Sequence, residues 1–120
     1  MALTYILLPT ARMERSAAFW HSVVGADPVQ DMPTFKLYPL GHGFMLGLWA
    51  REEIVPEPAA AGGSEVSIRR DTPAEVDAMH DDWAARGIAI LAAPADMGFG
   101  RTFVAADPDG HRIRVFAPAA

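Results

Sequence analysis

The chain has 120 residues, 51% of them hydrophobic and 21% charged, with 15 acidic side chains against 10 basic ones. That length suits one domain or two small half-domains sharing a core, and the composition suits a globular protein rather than a disordered one. The net charge of −5 argues against a general nucleic-acid binder, and the lack of cysteine excludes disulfides, thiolate metal sites and a thiol nucleophile.

The opening segment, MALTYILLPTARMERS, has no basic leader before its apolar run, and that run is too short to span a bilayer. A cytoplasmic protein with no membrane part is the expectation. Residues 3–9 (LTYILLP) predict a strand. A helix follows, because Met13, Ala17, Trp20 and Val24 recur three or four apart and Gly25 supplies a stop. An extended piece, DPVQDMP, leads to two strands, TFKLYPL and FMLGLWAR, joined by Gly41-His42-Gly43. Residues 52–63 (EEIVPEPAAAGG) read as an exposed connector.

The same order then begins again. SEVSIRR predicts a strand, and DTPAEVDAMHDDWAARG predicts a helix with Thr72 as N-cap, Pro73 at its first position and Glu75 closing a capping box. Val76, Met79 and Trp83 form its apolar stripe, and Gly87 ends it. Three more strands follow, IAILAAP, RTFVAADP and HRIRVFAP, the last two separated by the turn Asp107-Pro108-Asp109-Gly110. The sum is βαβββ, connector, βαβββ: a first module over 1–51, a connector over 52–63 and a second module over 64–120, one structural domain in all. The predicted class is α+β, with the two modules forming a curved mixed sheet around a cleft and the helices outside.

Period-two alternation divides each strand between helix side and cleft side. Phe44, Leu46 and Leu48 form an apolar face for the helices, leaving Met45, Gly47 and Trp49 for the cleft, with Phe35, Leu37, Tyr5 and Leu7 joining them. The second module offers Glu65, Ser67, Phe103 beside Arg114, and Phe116, while the loop 95–101 carries Phe99 toward the mouth. Aromatic residues in such a pattern can equally fill a core or close the cleft, as in a small interaction subunit. The four histidines carry no ligand spacing: His21 and His80 read as outward on the helices, His42 lies in a turn, and His111 follows one. No nucleophile elbow accompanies the serines, and no glycine loop for phosphate is present.

RSAAFWHSVVGADPV and FGRTFVAADPDGHRIRVFAP give the chain, over nearly its whole length, a resemblance to the vicinal oxygen chelate superfamily. That superfamily includes glyoxalase I, extradiol dioxygenases and the fosfomycin- and bleomycin-resistance proteins. Its metal-dependent members hold a divalent ion with four inward side chains, mostly His and Glu. The resemblance carries those positions onto Tyr5, Gly47, Glu65 and Arg114. Glycine offers no ligand atom and arginine stays protonated, so neither a metal nor any other cofactor is expected. Glu65 and Arg114 are expected to pair where the metal would be held; the rival is an Arg114 that faces water or answers an acidic ligand.

PTFKLYP, GLWAR, EVDAMHDDWAARG and FGRTFVAADPDGH resemble the branch that contains a phenazine antibiotic-resistance protein. The resemblance implies a metal-free homodimer that sequesters a planar aromatic small molecule. Trp49 would stack on it, Gly47 would open room beside the indole, and Arg101 and Arg114 would suit a carboxylated ring. The implied ligand-binding set is Tyr5, Phe35, Met45, Gly47, Trp49, Glu65, Phe99, Arg101, Phe103 and Arg114, with no catalytic residue. The alternatives are a metal-dependent lyase or oxygenase of the glyoxalase or dioxygenase type, and metal-free acid–base chemistry at Tyr5, Glu65 and Arg114.

Overall fold

Among the described residues, apolar side chains at alternate positions, punctuated by glycine, proline and aspartate, produce eight strands, and two stripes of helical period produce two α-helices. The structure, a computed structural model, describes residues 3–119. It divides into two compact units, residues 1–60 and 61–120, so the division falls inside the proline- and alanine-rich stretch. Each unit holds a four-stranded mixed sheet and one helix, an α+β architecture in which neither sheet closes into a barrel. Among the described residues no helix is long and apolar enough to cross a membrane.

The first unit runs β1 (Thr4–Thr10), α1 (Met13–Val24), β2 (Gln30–Met32), β3 (Phe35–Gly41) and β4 (Phe44–Ala50). Its sheet order is β1-β4-β3-β2, with β1 parallel to β4 and the other pairs antiparallel. Leu46, Leu48, Tyr38 and Trp20 are buried where α1 covers the sheet, and the Tyr38 hydroxyl donates to the Ala17 carbonyl of α1 at 3.4 Å. The innermost small residue of α1 is Ser16 rather than one of the expected apolar positions. It is fully buried because its hydroxyl shares a 2.7 Å hydrogen bond with that of Thr10, which also accepts from the Arg12 N–H at 3.1 Å. Those contacts hold the start of a helix that has no side-chain cap of its own. Beyond β4, Arg51 donates to the carbonyls of Pro58 at 2.6 Å and Ala59 at 3.5 Å.

The second unit repeats the plan with β5 (Glu65–Arg69), α2 (Pro73–Ala85), β6 (Ala89–Met97), β7 (Gly100–Ala106) and β8 (Arg112–Pro118), in the order β5-β8-β7-β6. The Thr72 capping box forms as expected: the Glu75 N–H donates to Thr72 Oγ1 at 3.2 Å, and the Thr72 N–H donates to Glu75 Oε2 at 3.2 Å. Such a cap is worth about 1 kcal/mol. Val76 and Trp83 of α2 press on Phe103, Ile113, Val115 and Ala117, all six 2% exposed or less. β6 runs further than predicted. Ala95, Asp96 and Met97 pair with Thr102, Arg101 and Gly100, so the expected loop over 95–101 is the tip of a tight hairpin.

Gly100 closes that hairpin at φ +143°, and a Cβ built there would lie 2.0 Å from the Ala117 carbonyl oxygen. Backbone cannot yield as a side-chain tip can. Gly98, two residues earlier, has nothing within 4 Å of its Cβ site. Gly100→Ala should therefore destabilise by at least about 2 kcal/mol in denaturant unfolding, while Gly98→Ala should stay within about 0.5 kcal/mol of the parent.

Candidate functional site

The faces of the two sheets turned away from their helices hold the residues of interest. On β8, Ile113, Val115 and Ala117 are buried against the helix side, so Arg112, Arg114 and Phe116 take the other face. β5 runs parallel beside it, with Glu65 opposite Arg112 and Ser67 opposite Arg114. Glu65 reaches diagonally to Arg114 in a two-pronged pair: Nε donates to Oε1 at 2.7 Å and Nη2 to Oε2 at 3.1 Å. Arg114 Nη1 also donates to Thr102 Oγ1 at 3.3 Å, and that hydroxyl donates on to the Val115 carbonyl at 3.0 Å. The pairing expected from the sequence is present.

Arg112 stands outside the expected set, although the same period-two rule puts it on Arg114's face. Its Nη2 lies 3.1 Å from Glu65 Oε2, so one carboxylate faces two guanidiniums. The Arg114 hydrogen bond holds the Glu65 carboxyl below the usual range; desolvation opposes it, and the charges of Arg114 and Arg112 each add a smaller lowering effect. The same hydrogen bond holds the Arg114 guanidinium more firmly protonated.

The first sheet has the same corner with different chemistry. Tyr5 lies opposite Met45 and diagonal to Gly47, as Glu65 lies to Arg112 and Arg114. Phe35 is opposite Trp49 and meets it edge-on, with ring centroids 6.5 Å apart. The Trp49 indole N–H donates to Glu53 Oε1 at 3.3 Å. Tyr5 is exposed, while Phe35, Met45 and Trp49 are half-buried. Gly47 does not open the slot expected of it. A Cβ there would come within 2.7 Å of Leu7 Cδ2 and 3.1 Å of the Phe35 ring, so those two side chains already occupy the space.

Two expected residues sit on the wrong face. Phe103 pairs with Val115, not Arg114, and is buried under α2 with ring centroids 5.5 Å from Trp83 and 5.4 Å from His80. His80, expected to point outward, is thus partly covered. Arg101, opposite Ala117, also faces α2, where Nε donates to Asp77 at 2.9 Å and Nη1 to Asp96 at 3.2 Å. It has no charge left for a ligand. Phe99, at the hairpin tip, is exposed and stands edge-on to Phe116 at 6.0 Å. A recess of about 460 Å³ in the first unit, lined by Ala11, Arg51, Glu52, Ile54 and Glu57, contains none of the expected residues. Among the described residues no group of three or more His, Cys, Asp or Glu side chains is placed to hold a metal ion.

The sequence profile of the glyoxalase/bleomycin resistance protein/dioxygenase superfamily matches residues 2–115. The phenazine antibiotic resistance protein EhpR of Enterobacter agglomerans is 32% identical over 114 residues, which cover 91% of this chain and 86% of that protein. A protein of Agrobacterium tumefaciens solved by NMR superposes with a TM-score of 0.88 at 40% identity, covering 100% of this chain and 99% of its own. A glyoxalase/bleomycin resistance protein/dioxygenase from Nocardioides superposes with a TM-score of 0.80 at 28% identity, covering 98% of this chain and 83% of its own.

Removing Glu65 leaves two guanidiniums facing each other, whereas removing Arg114 leaves Glu65 with Arg112. Glu65→Gln should therefore cost more stability at neutral pH, about 1 kcal/mol on this solvent-screened face, than Arg114→Gln. Because the folded carboxyl titrates below its ordinary value of 4.5, its contribution is complete above that pH and is lost as pH falls through the folded value. Thermal unfolding of the parent and Glu65→Gln should consequently converge as pH drops below that range.

Proposed function

This chain belongs to the glyoxalase/bleomycin resistance protein/dioxygenase superfamily, and on that premise we propose that it binds and sequesters a planar aromatic small molecule of the phenazine kind without metal chemistry. The observation that carries the reading is the Glu65–Arg114 pair. A divalent cation needs free lone pairs, and both Glu65 oxygens already accept from Arg114 beside a second guanidinium. A cation placed there would meet two positive charges. The corresponding corner of the first sheet offers the Tyr5 hydroxyl and no side chain at Gly47. These residues do not fit a divalent ion.

Acid–base catalysis is no better supplied. A carboxyl held ionised by arginine carries no proton to give at neutral pH and is a weak base. What remains is surface for capture. Trp49 is tethered at its edge by Glu53 and braced by Phe35, and its half-buried ring stands on the open face with Met45 and Tyr5 alongside. Stacking on such a ring adds about 0.5–1.5 kcal/mol beyond area burial. The similarity to a phenazine antibiotic resistance protein supports the ligand class. A cytoplasmic homodimer completes the reading. Support for the dimer comes from Ile6 and Phe44, which share the helix-side face of the first sheet at its β1 edge and stay exposed.

Tryptophan fluorescence tests the proposal directly, because Trp20 and Trp83 are 1% and 2% exposed and Trp49 is the accessible indole. Titration with phenazine should quench emission saturably, with or without EDTA and unchanged by Ni, Zn, Mn or Fe. Trp49→Ala should abolish the quenching and weaken binding by about tenfold while unfolding near the parent temperature. Stoichiometric metal uptake, or no saturable response to phenazines and quinones, would overturn the reading.

A further inference from the structure

Trp49 is the last open-face residue of β4, and the chain that follows it decides how firmly its ring is held. The Ala50 N–H closes the strand by donating to the Thr34 carbonyl at 2.9 Å. One 3₁₀ turn follows, Arg51–Glu53, and the chain runs on from it as a strap to Ala59. Packing does little to fix that strap. Glu52, Glu53, Val55, Pro56, Glu57 and Ala59 are all exposed, and the recess of about 460 Å³ lies against Arg51, Glu52, Ile54 and Glu57. A segment with so few buried contacts opens easily unless hydrogen bonds close it.

One side chain supplies the closure. Arg51 Nη2 donates to the Pro58 carbonyl at 2.6 Å and Nη1 to the Ala59 carbonyl at 3.5 Å, which joins the two ends of the strap. Glu52, Glu53 and Glu57 are near in sequence, yet Arg51 forms no ion pair with them and spends its fork on the two carbonyls. The consequence falls on Glu53. Its carboxylate is left without a cation among the described residues, and Oε1 accepts from the Trp49 indole N–H at 3.3 Å. A ring on an open sheet face can otherwise swing about its two side-chain torsions, and Phe35 meets this one only edge-on.

We propose that the strap over 51–59 is a positioning device for Trp49: Arg51 fixes the turn, and Glu53, carried on that turn, fixes the indole. Both are positioning residues that act through the ring and need no contact with a ligand. The inference rests on the stacking reading only for what the ring meets, because the hold on the indole belongs to the chain alone. A ring ordered in advance spares binding the cost of ordering it.

The Trp49 indole N–H resonance of the ¹⁵N-labelled full chain, identified by its loss in Trp49→Phe, reads this hold without any ligand. Glu53→Ala should move it toward the position of a free indole and speed its exchange with water severalfold. Glu53→Gln, which keeps an acceptor oxygen, should restore most of both. Arg51→Met keeps the aliphatic stem without a donor and should move the same resonance the same way, while Arg51→Lys, which can still donate, should recover part of the shift. The Trp20 and Trp83 resonances should stay in place throughout. Combining Arg51→Met with Glu53→Ala should add nothing to Glu53→Ala alone, because the two act in series. Each of those two single variants should weaken phenazine by about threefold. A Trp49 resonance indifferent to Glu53→Ala overturns the inference, as does an Arg51→Met effect that adds in full to that of Glu53→Ala. Glu53 is exposed, so Glu53→Ala keeps the test decisive even where Arg51→Met fails to fold. The two readings fail separately. Quenching by phenazine with an indole indifferent to Glu53 removes the strap alone, while a strap-dependent indole in a chain that ignores phenazine supports the strap and removes the stacking.

Discussion

Ile113, Val115 and Ala117 are fully buried under α2, and this leaves β8 no freedom of phase. A slip of one residue would press two guanidiniums into the apolar interior, at a cost of several kcal/mol per ion. Arg112 and Arg114 are therefore fixed on the open face, and β5, running parallel alongside, is the neighbour that can answer them. Glu65 does so. Its ionised state, its low affinity for protons and its engagement on both oxygens all follow from a packing requirement on the opposite side of the sheet. The chemistry of this corner is thus a consequence of core packing, expressed one pleat away.

Equivalent positions in the two units show how one backbone plan supports two kinds of surface. Tyr5, Met45 and Gly47 occupy the places that Glu65, Arg112 and Arg114 occupy in the second sheet, and Trp49 stands where Phe116 stands. Trp20 and Trp83 anchor the two helices alike. The helix sides are interchangeable in character because both must bury an apolar core. The open faces are under no such constraint and have diverged, one toward neutral aromatic surface and the other toward positive charge.

Much of this was legible before any coordinates. Strand alternation placed Leu46 and Leu48 on the helix side of β4, and Thr72, Pro73 and Glu75 announced the start of α2, because those signals are local. Phe103 was not legible, since Phe103, Val104 and Ala105 are all apolar and the strand has no polar face to reveal its phase; only pairing with Val115 settles it. Arg101 turns on Asp77, a contact made across the sheet–helix interface. Ser16 lies outside the apolar positions that the helical period picks out, and its burial rests on the hydroxyl of Thr10. Pro94 and the glycines after it suggested a loop, yet β6 is an edge strand whose pairing is irregular between Ala92 and Ala95, and that irregularity accommodates a residue with no N–H. Gly47 shows a further limit: a sequence reveals a missing side chain, but not that Leu7 and Phe35 have filled its place.

A carboxylate at the end of β5 can hold a cation, move a proton or neutralise an arginine, and each use excludes the others. Pairing both oxygens with Arg114, beside the charge of Arg112, sets two positive charges against a metal and lowers the basicity a proton shuttle would need. The neighbouring strand thereby decides what Glu65 can do. Arg112 then adds a second positive charge, and Glu65 Oε2 is shared between it and Arg114.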